Sequence, residues 1–472
     1  MRGLDERSIP KDALSGLSEI IGGLRQLFRT CVFLRHGPVP LPVTKPKSTA
    51  LLFALVALLA LSIASCGGGG SSSAGGTTGT TATTSTTTPD NGSETTPSIQ
   101  LEPGSINWPF FGRVPQRTHY LPTTEGEIDR PLDPPLKVAW QINTHGLIEF
   151  PPAIADGVAY VINKFGNGKA IDLDTRKILW ELQLDPKNHG GKKTVTAPAY
   201  YRGKVYGAFL DGYLAAGEVN TGKEAWVRNL HSHLESSPLP IDGDIVLGTN
   251  DHQVLALDAG DGHTVWTFDA PAAVKASPSY DAGNIFVGDF ESTMFALDAD
   301  TGKPVWRSNT SKVAPFGEGG FFSSPAIAFG NVYAARNDGT VYAFDEGTGK
   351  VRWAFQTGDR VYGSPAVAQV PGTPPTVYIG SENGKFYALD ARTGKVRWTY
   401  DVGGAVPGTA TVIGHTVYVS SFHTKKTVGI DVRTHKVDYT LDQAGYTPVI
   451  SDGRRLIAVG YFTVLGLEPT TP

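Results

Sequence analysis

A tryptophan recurs along this chain with a period that leaves few folds open. Trp140, Trp180, Trp226, Trp266, Trp306, Trp353 and Trp398, then Tyr439, stand 40, 46, 40, 40, 47, 45 and 41 residues apart. The turn ahead of them often has the same words, as in ALDADTGKPVW (296–306), AFDEGTGKVRW (343–353) and ALDARTGKVRW (388–398). Other units vary it, as Asp174-Thr175-Arg176-Lys177, Asn220-Thr221-Gly222-Lys223, Asp261-Gly262 and Arg433-Thr434-His435-Lys436. Each unit opens on a small residue and usually a Pro: PPA (151–153), APA (197–199), SSP at 236 and 323, ASP at 276, GSP at 363, GTA (408–410) and YTP at 446.

One unit reads in full. SSPAIAFG (323–330) and NVYAARN (331–337) are two strands, Asp338-Gly339 is a tight turn, and TVYAFDE (340–346) is a third strand. Gly347-Thr348-Gly349 turns the chain into an outer strand, KVRWAFQ (350–356). The third strand is apolar on both sides, as a strand covered on both faces requires, whereas the outer one alternates. Four short β-runs per period in the forties specify a propeller blade and not a helical solenoid.

The small-residue starts number eight, but the last unit, YTPVISDGRRLIAVGYFTVLGLE (446–468), stops before any outer strand. A surplus outer strand, KVAWQI (137–142), stands at the other end. Pairing the two removes the open edges and predicts an all-β, eight-bladed β-propeller over residues 137–468, closed by an N-terminal outer strand. Catalysis needs a group once, and packing needs one in every blade. The blade Trp residues and Tyr439, with Asp258, Asp298, Asp345, Asp390 and Asp431, therefore read as structural.

Upstream, Lys45 and Lys47 precede an apolar core, Ala50 to Ala64, in STALLFALVALLALSIASC. The core is shorter than the roughly 20 residues of a membrane span and fits a secretory signal. Ile63-Ala64-Ser65-Cys66 resembles a bacterial lipobox, which implies cleavage before Cys66 and a diacylglycerol on its sulfur. Residues 43–65 then form the signal peptide, and residues 1–42 read as an extension outside the natural product, with translation starting near Val43. The Gly, Ser and Thr tract at 66–100 has nothing to bury and reads as a disordered tether reaching roughly 30–35 Å. Residues 101–136 lead into the ring.

Without residues 1–65 the chain carries 33 basic and 41 acidic groups. Such a surface repels phosphate backbones, which excludes a nucleic-acid partner. Cys31 and Cys66 are the only cysteines. The first is lost on processing and the second lipidated, so an exported body has no disulfide and rests on its core.

The unit A-x-D-x-x-T-G-K-x-x-W resembles the PQQ-like, or quinoprotein-like, propeller repeat. NWPFFGRVPQRTHYLP (107–122) also resembles the lead-in W-x-x-F-x-x-x-x-x-R-T of many members. The resemblance implies one fold and two kinds of function. Some members are alcohol dehydrogenases that hold pyrroloquinoline quinone (PQQ) and calcium on the ring axis. Others are cofactor-free scaffolds, such as the BamB-like lipoprotein of the barrel-assembly machine. In the dehydrogenases the quinone is sandwiched between a Trp and a disulfide of adjacent cysteines. No adjacent cysteines exist here, and the eight Trp comprise seven blade positions and Trp108 of the lead-in. Asp289, Glu291, Glu318 and Glu382 lie in loops that can face the axis, but no motif marks them as the converging oxygens calcium needs. The expectation is a BamB-like envelope lipoprotein with no cofactor and no catalytic residue. PQQ with calcium is the alternative, and a small-ligand or metal sensor a third.

Function is expected where the repeat varies, in the connectors between blades and the turns between second and third strands, which share one face of a propeller. His231, His233, His252, Glu318, Phe321, Phe322 and His423 fall there. His231 and His233, two apart on an extended chain, project to one side and are the candidate metal ligands, although solvated loop histidines are the simpler reading. The aromatic, Gly-rich loop SNTSKVAPFGEGGFF (308–322) is the first candidate for partner contact. The expected partner is a cell-envelope protein or polymer. It would be bound by a monomer anchored outside the cell membrane, or on the periplasmic side of an outer membrane, through Cys66.

Overall fold

Asp258 shows how a blade turns. Its Oδ1 accepts the N–H groups of Gly260 at 2.7 Å and Asp261 at 3.1 Å. This closes the local turn and sends the chain from Gln253–Asp258 into Thr264–Asp269. Asp298, Asp345 and Asp390 do the same with the N–H and hydroxyl of Thr301, Thr348 and Thr393. A short acceptor at this position satisfies backbone donors that the tight turn leaves without strand partners.

The computed structural model describes residues 107–122, 132, 134–183, 196–311, 319–442, 449–460 and 462–470. The segments expected to be signal and tether, with Cys66, lie outside the described residues. The strands form eight antiparallel four-stranded units, one of which carries an added fifth strand. Blade 1 runs Ala153–Ala155, Val158–Ile162, Asn167–Asp172 and Ile178–Gln183, and blades 2 to 7 repeat that order. Blade 8 has Ile450–Ser451, Leu456–Val459 and Thr463–Pro469, and takes its outer strand, Leu136–Asn143, from the front of the chain. Leu136 pairs with Pro469, Trp140 with Gly466 and Asn143 with Thr463. The ring closes as the count of starts and outer strands requires.

Every outer strand is bulged just before its aromatic residue. In blade 3, Ala256 pairs with Trp266 but Leu257 with Thr264, so Val265 is skipped and left 45% exposed. The bulge turns the following indole toward the next blade. There Trp266 Nε1 donates to Ala299 O at 2.8 Å, Trp306 Nε1 to Glu346 O at 2.8 Å and Trp353 Nε1 to Ala391 O at 3.0 Å. The Gly of the next blade's turn lies against the same indole: Gly302 on Trp266, Gly349 on Trp306 and Gly394 on Trp353. Asp, Thr-Gly and Trp therefore recur together because the turn of one blade is the lid of the Trp before it.

Of the seven seams built on a tryptophan, two lack that glycine. Arg176 (φ 64) stands opposite Trp140, and His435 (φ 60) opposite Trp398. At the first, Trp140 Nε1 is buried without a partner among the described residues. Arg455 fills that seam, donating to Leu173 O and pairing with Asp174 and Asp452. At the second, the ring of His435 lies 5.2 Å from that of Trp398.

Candidate binding face and axial funnel

The innermost strand of each blade is a sheet edge facing the bore, and its N–H groups need acceptors. Lead-in residues 108–121 supply them. Trp108 and Ile154 of blade 1 exchange N–H···O bonds of 2.9 and 2.8 Å. The carbonyls of Pro109, Pro115, Gln116, Thr118 and His119 accept from Tyr200, Tyr280, Ile327, Val367 and Val412, in blades 2, 4, 5, 6 and 7. Tyr120–Leu121 then pairs in parallel with Thr411–Ile413, the extra strand of blade 7. The lead-in is thus a stopper across one end of the bore.

Arg117 is the centre of the stopper and is fully buried. Its guanidinium donates to the carbonyls of Pro278 at 2.6 Å, Ser237 at 3.2 Å, Pro238 at 3.4 Å and Phe111. Burial brings its pKa down to about 9, which leaves it charged at neutral pH. Gly112 (φ 93) is required here, because a Cβ would stand 2.6 Å from Arg117 Cα. His119 is also fully buried, edge-on to Phe111 at 4.7 Å, with neither ring nitrogen bonded among the described residues. Burial, reinforced by the charge of Arg117, holds its pKa down near 3.

Above the stopper the bore widens into a funnel of about 560 Å³ that opens on the connector face. Phe111 forms the floor. Ser237, Ser277, Ser324, Ser364 and Thr409 form the wall, each the second residue of a blade-opening triplet. These hydroxyls latch neighbouring blades: Ser237 N–H donates to Ser277 Oγ at 2.9 Å, Ser324 N–H to Ser364 Oγ at 2.9 Å and Ser364 N–H to Thr409 Oγ1 at 2.8 Å. The mouth is edged by aromatic rings and ion pairs. Phe322 and Tyr362 meet edge-to-face at 5.8 Å, with Phe290 6.3 Å from Phe322. Beside them, Lys275 lies 4.9 Å over the Phe290 ring and pairs with Glu235 at 2.8 Å, and Lys164 pairs with Glu149. Among the lining residues there is no tryptophan or cysteine, and both carboxylates, Glu149 and Glu235, are held by lysine.

The face around the mouth is braced by bonds between connectors and second-to-third turns, such as Asn250 N–H to His233 O at 3.0 Å and Ala270 N–H to His252 O at 2.6 Å. His231, His233, His252 and His423 are all exposed on it. Phe322 reaches the mouth, whereas Phe321 turns inward, fully buried against Tyr342 and Phe344. Glu318 and residues 312–318 of its loop lie outside the described residues. Asp289 is buried in its turn, with Oδ1 accepting from Thr293 at 2.8 Å and Glu291 at 3.0 Å and Oδ2 unbonded. Burial raises its pKa to about 6.

No third ligand joins His231 and His233 among the described residues. The one trio there with metal-binding spacing is Asp258, Asp261 and His263, on a third-to-fourth turn of blade 3. Its oxygens already serve the turn, since Asp261 Oδ1 accepts from His263 N and contacts its Nδ1. Sequence reasoning missed Arg117, His119, Glu149, Lys275 and Tyr362. Only the Arg-Thr of the lead-in motif carried a signal.

The family model described as outer membrane protein assembly factor BamB matches residues 134–246, 169–277 and 250–461. The chain is 35% identical over 132 residues to the dehydrogenase subunit of the quinone alcohol dehydrogenase of Komagataeibacter europaeus, covering 26% of this chain and 17% of that one. It is 29% identical over 157 residues to the quinohemoprotein alcohol dehydrogenase of Comamonas testosteroni, 30% of this chain and 22% of that one. These matches span 17 to 22% of the length of the curated relatives. Among solved structures, BamB from Moraxella catarrhalis has a TM-score of 0.58 at 18% identity, over 71% of this chain and 99% of that one. The C. testosteroni dehydrogenase has a TM-score of 0.62 at 16% identity, over 78% and 82%. At such identities the likeness concerns the fold alone.

Proposed function

Because the chain belongs to the PQQ-repeat propeller family of the outer membrane protein assembly factor BamB, we propose that it is a non-catalytic envelope scaffold. In this reading it is lipidated at Cys66, and its connector face holds an envelope protein or polymer. The stopper is the observation that carries the reading. It seals one end of the bore, so the described funnel and the non-repeating connectors open on the same side.

The funnel does not fit a calcium–quinone pair. A hard cation needs several uncommitted oxygens, and both carboxylates in the wall are neutralised by lysines. A rigid ring whose mouth is edged by aromatic rings and ion pairs suits recognition, in which aromatic anchors supply most of the energy and charges set orientation.

The test is photo-crosslinking in intact membranes from Phe322, His233 and His423, with Arg202 on the opposite face as control. One envelope component recovered from the first three positions and absent from the fourth is expected. Equal yields from both faces would count against the reading. Dye-linked alcohol oxidation appearing when PQQ and calcium are added would replace it with the second reading, a divergent quinoprotein dehydrogenase, which the sequence matches to that enzyme class favour.

A further inference from the structure

We propose that Asp281 and Glu346 form a proton-operated clamp, which fastens the stopper to blades 4 and 5 and loosens when the pair loses its proton. Both stand where the repeat is otherwise uncharged. Asp281 ends the inner strand of blade 4, Ser279–Asp281. The same place is held by Ala155, Tyr201, Ile241, Ala328, Ala368 and Ile413 in blades 1 to 3 and 5 to 7. Glu346 follows the third strand of blade 5, Thr340–Asp345. There blades 1 to 4, 6 and 7 have Leu173, Val219, Ala259, Ala299, Ala391 and Val432. The repeat uses only the carbonyl at that position, as when Trp306 Nε1 donates to Glu346 O at 2.8 Å. The Glu346 side chain is therefore spare, and it hydrogen-bonds the carboxyl of Asp281 across the seam. Two carboxyl groups can bond each other only while one of them holds a proton.

The pair is tied to the stopper through Gln116. Its Nε2 donates to Asp281 Oδ1 at 2.8 Å, and its carbonyl accepts from Ile327 N–H at 2.9 Å. One lead-in residue thus holds blade 4 by its side chain and blade 5 by its main chain, and the carboxyl pair closes the triangle. The groups acting on Glu346 all favour the protonated form. Partial burial comes first, then Asp281, then Asp345 on its own turn, and together they raise its pKa to about 7. Asp345 is itself bonded by Thr348 and paired with Arg352. Below that pH the pair is bonded. Above it two anions face each other, and their repulsion drives the side chains apart and takes the acceptor from Gln116. In the folded chain His119 is neutral throughout this range, so it does not share in the response.

Hydrogen exchange of the full chain at pH 6 and pH 8 tests this, read as protection factors so that the intrinsic pH dependence of exchange is removed. The amide of Ile327, bonded to Gln116, should lose protection by about fivefold or more between the two. The amide of Val412, bonded to His119 O at the far end of the stopper, should hold within about twofold. Glu346→Gln and Asp281→Asn each place an amide donor opposite the remaining carboxylate, so no proton is needed to join them. Either change should leave the protection of Ile327 level across the range. A level response in the parent chain, the parent's loss persisting in either variant, or an equal loss at Val412 overturns the proposal.

Discussion

Gly302 lies flat on the indole of Trp266 in the preceding blade, so closely that a Cβ would stand 2.5 Å from Cε3. The same turn accepts the indole N–H through Ala299 O at 2.8 Å. Gly302→Ala must lift the turn and place a side chain at φ 66, which should cost about 2–4 kcal/mol. Trp266→Ala should cost about 3–5 kcal/mol. Both changes break one contact, so the double variant should fall at least 1 kcal/mol short of their sum. Urea unfolding of the four chains checks this, and strict additivity would show that the two residues act separately.

How much of this was legible in the sequence depends on the residue. The blade count, the closure and the pairing of 137–142 with the C-terminal unit follow from periodicity, because an unpaired outer strand and a blade lacking one have only each other. The role of the blade-opening Ser was hidden, since a hydroxyl that bonds across a seam leaves no local pattern. Phe321 and Phe322 show the limit most sharply. Adjacent on an extended chain, they face opposite ways, and the loop's composition does not say which one is buried. The stopper was hidden for a related reason: Arg117 and His119 read as polar loop residues until the bore they cross is built.

His119 should make the stopper acid-sensitive. Its imidazole takes a proton near the ordinary 6.5 when unfolded but only near 3 when folded. The unfolded state therefore binds more protons between those values, and stability is lost as pH falls from about 6.5 toward 3. At pH 4.5 the loss from this group should be about 2–3 kcal/mol. His119→Phe keeps a ring against Phe111 and removes the titration. The difference in unfolding free energy between pH 7 and pH 4.5 should shrink by that amount in the variant. Parallel pH profiles for the two chains would contradict the assignment.

Asp289 has the opposite sign. Burial raises its pKa from 3.8 to about 6, so the folded state holds the proton longer than the unfolded one. Folding is penalised once the group ionises, and the penalty is complete above pH 6 and absent below about 4. Asp289→Asn keeps an acceptor for the N–H groups of Thr293 and Glu291 and removes the charge. A gain on the order of 1 kcal/mol is expected at pH 8, below the full value of the shift because of solvent screening. Thermal melts at pH 8 and pH 4 decide it: the variant should melt higher at the first and level with the parent at the second.

Arg117 binds the stopper to blades 3 and 4 through the carbonyls of Ser237, Pro238 and Pro278. Arg117→Met leaves these buried oxygens without their donor, at a cost of about 3–5 kcal/mol. Arg117→Lys should recover little, because one ammonium cannot reach oxygens arranged around a planar fork. The loss should be local. Outer strands are held by their own ladders and by the Trp lids, whereas the amides of Tyr280, Ile327 and Val367 depend on the lead-in for acceptors. Hydrogen exchange of Arg117→Met should therefore show those amides losing protection by a hundredfold or more while the Thr264–Asp269 strand keeps its own. A uniform rise across every blade would mean that Arg117 supports the ring as a whole, and the stopper would not be a separable part.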